Sequence, residues 1–183
     1  MNKTIKIFLL STVLLGFGCS AVFAQGLLPL THDDAWLYNS GIREYGKNNR
    51  PFAFLFLHSL VNGYPGSRYL ENSLFAIGVY HFQDQNFADA AKSFSALLDE
   101  FPDSQSTVFA MAYLLKIAQR RDASDLTAGL EKAIATFHKL SLVFRDSKEF
   151  TYLSAFGNKY KAVYYIDKVE FYKDGELFAQ VSY

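Results

Sequence analysis

The residues of this chain able to do polar or covalent chemistry are four histidines, one cysteine and a scatter of carboxylates. His32, His58, His81 and His138 are dispersed, and none belongs to a His-Glu-x-x-His pair, which would set two imidazoles on one helix face around zinc. Asp33 and Asp34 are adjacent, but neighbouring helical residues do not face each other, and acidic side chains suit the first turn of a helix, where free N–H groups point outward. No Gly-x-Ser-x-Gly elbow offers a nucleophile for acyl transfer. No Gly-x-Gly-x-x-Gly loop and no Gly-x-x-x-x-Gly-Lys-Ser/Thr loop is present to cradle phosphate. The chain is therefore expected to be no enzyme and to carry neither metal nor cofactor, and each histidine reads as structural or exposed.

The lone cysteine, Cys19, lies in a leader. Met1 to Lys6 is a short basic start, Ile7 to Gly18 an apolar run broken only by Ser11 and Thr12, and Val22-Phe23-Ala24 a small-residue cleavage pattern. Residues 1–24 are expected to be a secretory signal, leaving 159 residues, enough for one domain. Two other readings stay open. Residues 7–25 carry no charge and can just span a bilayer as an anchor, and Leu15-Gly16-Phe17-Gly18-Cys19 resembles a bacterial lipoprotein signal, in which Cys19 would be acylated and attach the chain to a membrane. With its one cysteine in the leader, the mature chain has no disulfide scaffold or thiolate cluster. Acidic and basic residues balance at 18 each, so nothing neutralises a phosphate backbone and nucleic acid is not an expected partner. Half the residues are apolar and 31 are aromatic, a composition that builds a packed core.

The elements that carry these residues repeat. Asp34–Ser67 and Glu71–Ser104 align without a gap: Gly41, Ala53, Leu57, Leu60 and Pro65 in the first match Gly78, Ala90, Phe94, Leu97 and Pro102 in the second, 37 residues on. Each segment divides into two helical faces around a polar break. Leu74, Ile77, Gly78, His81 and Phe82 precede Gln83–Asn86, and Phe87, Ala90, Phe94, Leu97 and Leu98 follow it. The small residues Gly78 and Ala90 would let two helix axes approach where they cross. In the first segment Thr31 and Asp34 form an acidic variant of a capping box, Gly46–Arg50 is the turn, and Pro51 fits the first turn of the second helix. A third unit is degraded. Ser104 and Ser106 are candidate caps, Met111, Leu114, Leu115 and Ala118 form a face, and Gln119–Asp125 interrupts it. Ala133, Phe137 and Leu140 then restore the spacing of Ala90, Phe94 and Leu97, which makes this turn six residues longer than its counterpart.

These positions resemble the tetratricopeptide repeat: a small residue at position 8, alanine at 20, an aromatic or apolar residue at 24 and proline at 32. The 37-residue interval is similar to the longer repeats of bacterial envelope proteins of that family, among them outer-membrane assembly lipoproteins and periplasmic division coordinators. The resemblance covers about 110 residues. It implies stacked antiparallel helices whose first-helix positions 5, 9 and 12 line a groove for a protein or peptide, here Tyr38, Ile42, Tyr45, Phe75, Val79 and Phe82, with Ala112, Lys116 and Gln119 in the third unit. The same rings also suit packing between repeats.

Beyond Ser147 the pattern changes. Phe150–Leu153 is expected to finish a short helix, and Asp174-Gly175 between Val169–Tyr172 and Leu177–Val181 is a hairpin signal. Two strands alone are marginal, so the hairpin must cover the last repeat, extend a sheet through Ala162–Ile166, or pair with another chain. A terminal cap is preferred to strand addition, because helical stacks need their last apolar face hidden. The expected organisation is a signal over 1–24, a mainly α, tetratricopeptide-like stack over 31–147 and a helix and β-hairpin cap over 148–183. The expected function is a noncatalytic interaction or assembly module in the periplasm or at the outer membrane. The alternative is a structural subunit that oligomerises through its hairpin.

Overall fold

The computed structural model describes residues 32–137 and 147–183, which form six helices followed by a four-stranded antiparallel sheet. The helices are α1 (Asp34–Gly46), α2 (Arg50–Gly63), α3 (Leu70–Gln83), α4 (Phe87–Glu100), α5 (Gln105–Arg120) and α6 (Ser124–Phe137). α1 packs on α2, α3 on α4 and α5 on α6, and the three pairs join through α2 with α3 and α4 with α5.

The turn inside each pair is the same turn. Asn48, Gln85 and Asp122 all take positive φ, at 62°, 59° and 52°, and lie 37 residues apart. Behind each, the next residue's N–H reaches back to the helix: Asn49 to the Glu44 carbonyl at 2.9 Å, Asn86 to His81 at 2.9 Å, and Ala123 to Ala118 at 3.1 Å. A left-handed residue followed by this six-to-one bond satisfies carbonyls that a helix end would otherwise leave bare. The third turn is therefore as short as the others, which corrects the expected six-residue insertion. In α6 the buried side chains are Leu130 and Ile134, whereas Ala133 and Phe137 are half-buried and Leu140 lies outside the described residues. Thirty-seven residues on from Ala90 and Phe94, the spacing of the turns, stand Thr127 and Glu131.

The small residues do what their spacing suggested. A Cβ on Gly41 would sit 2.9 Å from Leu57 Cδ2, and one on Gly78 would sit 2.6 Å from Phe94 Cε1, so the paired helices touch where neither glycine has a side chain. Acidic first-turn residues tie one pair to the next. Ser67 Oγ donates to Asp34 Oδ2 at 2.6 Å, and 37 residues later Ser104 and Ser106 both donate to Glu71 Oε1, the latter at 2.7 Å. Asp33, whose carboxylate accepts from the Trp36 N–H at 2.6 Å, caps α1, and Ser104 caps α5. Thr31, the expected cap of α1, lies outside the described residues.

The sheet runs β1 (Lys148–Leu153), β2 (Lys159–Tyr164), β3 (Lys168–Lys173) and β4 (Glu176–Ser182), with neighbours in that order. Phe150–Leu153 is thus a strand and not the end of a helix: Phe150 and Tyr152 face inward while Glu149, Thr151 and Leu153 are exposed, the alternation of a half-buried strand. Asp174 and Gly175 at φ 51° and 89° make the two-residue turn between β3 and β4, where successive positive φ values match strand twist. Asp174 fastens that turn to β2 by accepting from the Lys159 N–H at 2.8 Å and from Asn158 Nδ2 at 2.9 Å. The hairpin therefore extends a sheet and also covers helices: β1 contacts α5, and β3 and β4 contact α6.

Candidate functional site

The six residues of the expected groove divide into two groups. Phe75 is buried beneath the sheet, Val79 is buried in the same core and Phe82 packs half-buried against that core, whereas Tyr38, Ile42 and Tyr45 lie half-buried on α1. Phase along α3 is the cause: Phe75 points at the sheet, and its ring lies 4.9 Å from Tyr152 and 5.2 Å from Tyr160, edge-on to both. On its helical side it meets Phe94 at 5.8 Å and Tyr113 at 6.0 Å. Such edge contacts set the positive ring rim against a negative face and strengthen the packing. Phe82 packs edge-on to Phe87 and Tyr113, with the Arg120 guanidinium 5.2 Å above its ring. In the third unit Ala112 is buried, Lys116 donates to the Phe178 carbonyl at 2.7 Å, and Gln119 is exposed.

Two tyrosine hydroxyls meet inside this aromatic core, Tyr113 and Tyr160 at 2.9 Å. Burial pushes the Tyr113 phenol up to about 12 and raises Tyr160 further, so both stay protonated and act as hydrogen-bonding groups. On α1 the surroundings are more open. Tyr38 stacks on Tyr69 at 4.4 Å, and Tyr45 stacks on Phe156 of the β1–β2 turn at 3.8 Å. The β1–β2 turn therefore ends against Tyr45, and Ile42 lies between Tyr38 and Tyr45 on α1, half-buried as they are.

A second concavity opens on the opposite helices. A cleft of about 460 Å³ runs between α2 and α4 over α3, with Phe54, Val61, Leu74, Ile77 and Ala96 along its bed and His58, Asn62, His81, Asp89, Lys92 and Ser93 around its rim. That volume falls in the range of small-ligand sites, about 300–1,000 Å³. Burial lowers both imidazole pKa values. The charges of His81 and Lys92 add to the effect at His58, while Asp89 and Asp84 oppose it at His81. Phe54 links the two rings, 5.3 Å from His58 and 5.1 Å from His81. Sequence spacing gives no sign of this cluster: the histidines belong to different helices, and only the packing of α2 on α3 joins them.

Among the described residues no group of three or more His, Cys, Asp or Glu side chains is placed to hold a metal ion, and no helix is long and apolar enough to cross a membrane. The run Gly41–Lys47 has the outline Gly-x-x-x-x-Gly-Lys, but Asn48 follows it and Gly41 to Gly46 are helical, so no phosphate loop exists there. Cys19 and His138 lie outside the described residues. No family model, curated protein or solved structure matches the chain.

Proposed function

We propose that the chain is an exported, noncatalytic protein-interaction module of the bacterial envelope, built from tetratricopeptide-like helical hairpins. The leader supports the destination, and the 37-residue recurrence of turns and glycine contacts supports the hairpin reading. The observation that carries the binding assignment lies on α1. There Tyr38, Ile42 and Tyr45 form a half-buried row, whereas on α3 Phe75 and Val79 are buried and only Phe82 is half-buried. Amphipathic rings held rigid by stacking lose little entropy on meeting a partner, which makes them good anchors for a protein or peptide.

Site-specific photocrosslinking tests this reading. A photoreactive residue replacing Ile42 is expected to give a discrete adduct in intact cells, and the same group replacing Leu126, an exposed position on α6, is not. No adduct from Ile42, or the same adducts from both positions, would overturn it. A second reading, oligomerisation through the terminal hairpin, is favoured by one feature: β4 is an edge strand with Leu177 56% exposed. Sedimentation equilibrium of the Leu177→Lys variant separates the two, because only an edge-paired oligomer dissociates.

A further inference from the structure

The two edges of the sheet are finished differently. β4 is blunted: its register slips between Phe171 and Tyr172, and Lys116 Nζ occupies the Phe178 carbonyl at 2.7 Å. A bulge and an inserted lysine are devices that keep a foreign strand off an edge. β1 has no bulge, and its register with β2 is unbroken from Lys148 to Leu153.

Alternation fixes which groups of β1 are open. The Ser154 N–H donates to the Asn158 carbonyl at 3.0 Å, so the β1 residues bonded to β2 are Tyr152, Phe150 and Lys148. The far side of β2 agrees. Its Lys159 carbonyl accepts from the Asp174 N–H, and the following Tyr165 N–H donates to the Lys168 carbonyl, both at 2.8 Å. The odd residues of β2 thus bond to β3, and the even ones are left for β1. The N–H and C=O groups of Glu149, Thr151 and Leu153 therefore point away from the sheet, and among the described residues none of them bonds to another element.

Three donor and acceptor pairs repeating every two residues, about 7 Å, match the main chain of another extended segment and neither a helix nor a small molecule. We infer that β1 takes up an extended segment of a partner polypeptide as a fifth strand. Leu153 is 62% exposed, and a hollow of about 540 Å³ lined by Thr151, Leu153, Lys161 and Tyr172 lies beside it on the outer face. The segment therefore carries β-branched or aromatic side chains at alternate positions, the types that pair best across strands. The inference rests on the interaction-module reading but uses main-chain groups of β1 in place of the α1 side chains, so either surface can fail without the other.

Random octapeptides displayed on phage and selected on the protein in the processed form isolated from cells supply the probe. The enriched sequence, made as an acetylated amide, is followed by amide hydrogen exchange and calorimetry. In the free protein the Glu149, Thr151 and Leu153 amides should exchange rapidly while those of Phe150 and Tyr152 are protected. Peptide at about 100 times its Kd should slow the first three by about a hundredfold. Thr151→Pro removes an open donor without touching the β1–β2 ladder, the kind of position at which a strand tolerates proline. It should weaken the peptide about tenfold or more while the thermal unfolding transition is retained. N-methylation of alternate peptide residues should abolish binding and methylation of the intervening ones should not, a result that holds whether or not the proline variant folds. No enriched peptide, binding that leaves the three amides exchanging, or indifference to the position of methylation would overturn the inference. So would slow exchange of those amides in the free protein, because the edge would then be covered by this chain or, where sedimentation shows a dimer, by a second copy.

Discussion

Placing a methyl group on Gly78 perturbs a close helix crossing, the tightest glycine contact among the described residues. The new Cβ would lie 2.6, 2.8 and 2.9 Å from three atoms of the Phe94 ring, inside the distance that real Cβ contacts respect. That ring has no free path of retreat. Phe94 is fully buried, stacks on Tyr113 at 4.9 Å and meets Phe75 edge-on at 5.8 Å. With no room for the ring to retreat, forcing it aside falls in the upper part of the overpacking range, about 2–3 kcal/mol, and the helix propensity gained on replacing glycine by alanine offsets about 1 kcal/mol of that. Gly78→Ala should therefore destabilise the domain by about 1–2 kcal/mol. Gly129→Ala in α6 is the matched control, because a Cβ there meets nothing within 4 Å. It should raise stability by up to about 1 kcal/mol, through helix propensity alone. Urea unfolding of both variants measures the difference, with unchanged m values confirming that only stability has moved. A Gly78→Ala protein as stable as the parent, or one that gains as much as Gly129→Ala, would refute the close crossing.

Phe75→Ala should cost about 3–5 kcal/mol in the same assay, as expected for a large buried ring removed from a core, and a mild loss would mean the ring is not enclosed by the sheet. Tyr160→Phe should cost about 1–3 kcal/mol by leaving the Tyr113 hydroxyl buried without its partner, and adding Tyr113→Phe should recover part of the loss in a double-mutant cycle. Gln85→Gly should stabilise the α3–α4 turn by relieving a left-handed residue, worth at most about 1–2 kcal/mol, with a higher thermal midpoint as the readout. His58 and His81 titrate below their unfolded value because burial disfavours the imidazolium, so the unfolded chain takes up protons first on acidification. Their contribution is complete above the unfolded pKa of about 6.5 and is lost as pH falls from there toward the folded values. The His58→Gln/His81→Gln variant should accordingly lose less stability than the parent between neutral and mildly acidic pH.

Much of the helical part was legible because its signals are local and recur. Gly41 with Gly78, Ala53 with Ala90, and the polar breaks after Tyr45 and Phe82 mark short-range events, a crossing and a turn, that the structure places where they were expected. The third unit misled because Ala133 and Phe137 imitate the apolar spacing of Ala90 and Phe94 six residues further on than the turn spacing places it. The turn at Asp122 sits inside the long polar run Gln119–Asp125, which does not mark where the turn ends. Asp174-Gly175 fixed the last hairpin for the same local reason that the first two turns were found. Strand β1 was missed because Phe150–Leu153 is too short to separate a period of two from the end of a helix. What no local pattern could reveal is tertiary. The sheet folds back over Phe75, so Phe75 and Val79 of the apparent groove are core, and α2 meets α3 so that His58 and His81 share a cleft. Those outcomes depend on contacts between residues 23 to 85 positions apart in the chain.

The most direct measurement for the interaction-module reading is the rate of maleimide labelling at single cysteines, compared between intact envelopes and purified protein. Cys19 is the chain's own cysteine, so the comparison uses Ile42→Cys and Leu126→Cys in a Cys19→Ser background, and in a lipidated form Cys19 is retained because it is blocked. A partner on the α1 row predicts that Ile42→Cys labels readily when purified and much more slowly in the envelope, while Leu126→Cys labels at the same rate in both. Equal labelling of Ile42→Cys in the two settings would contradict a partner at that surface.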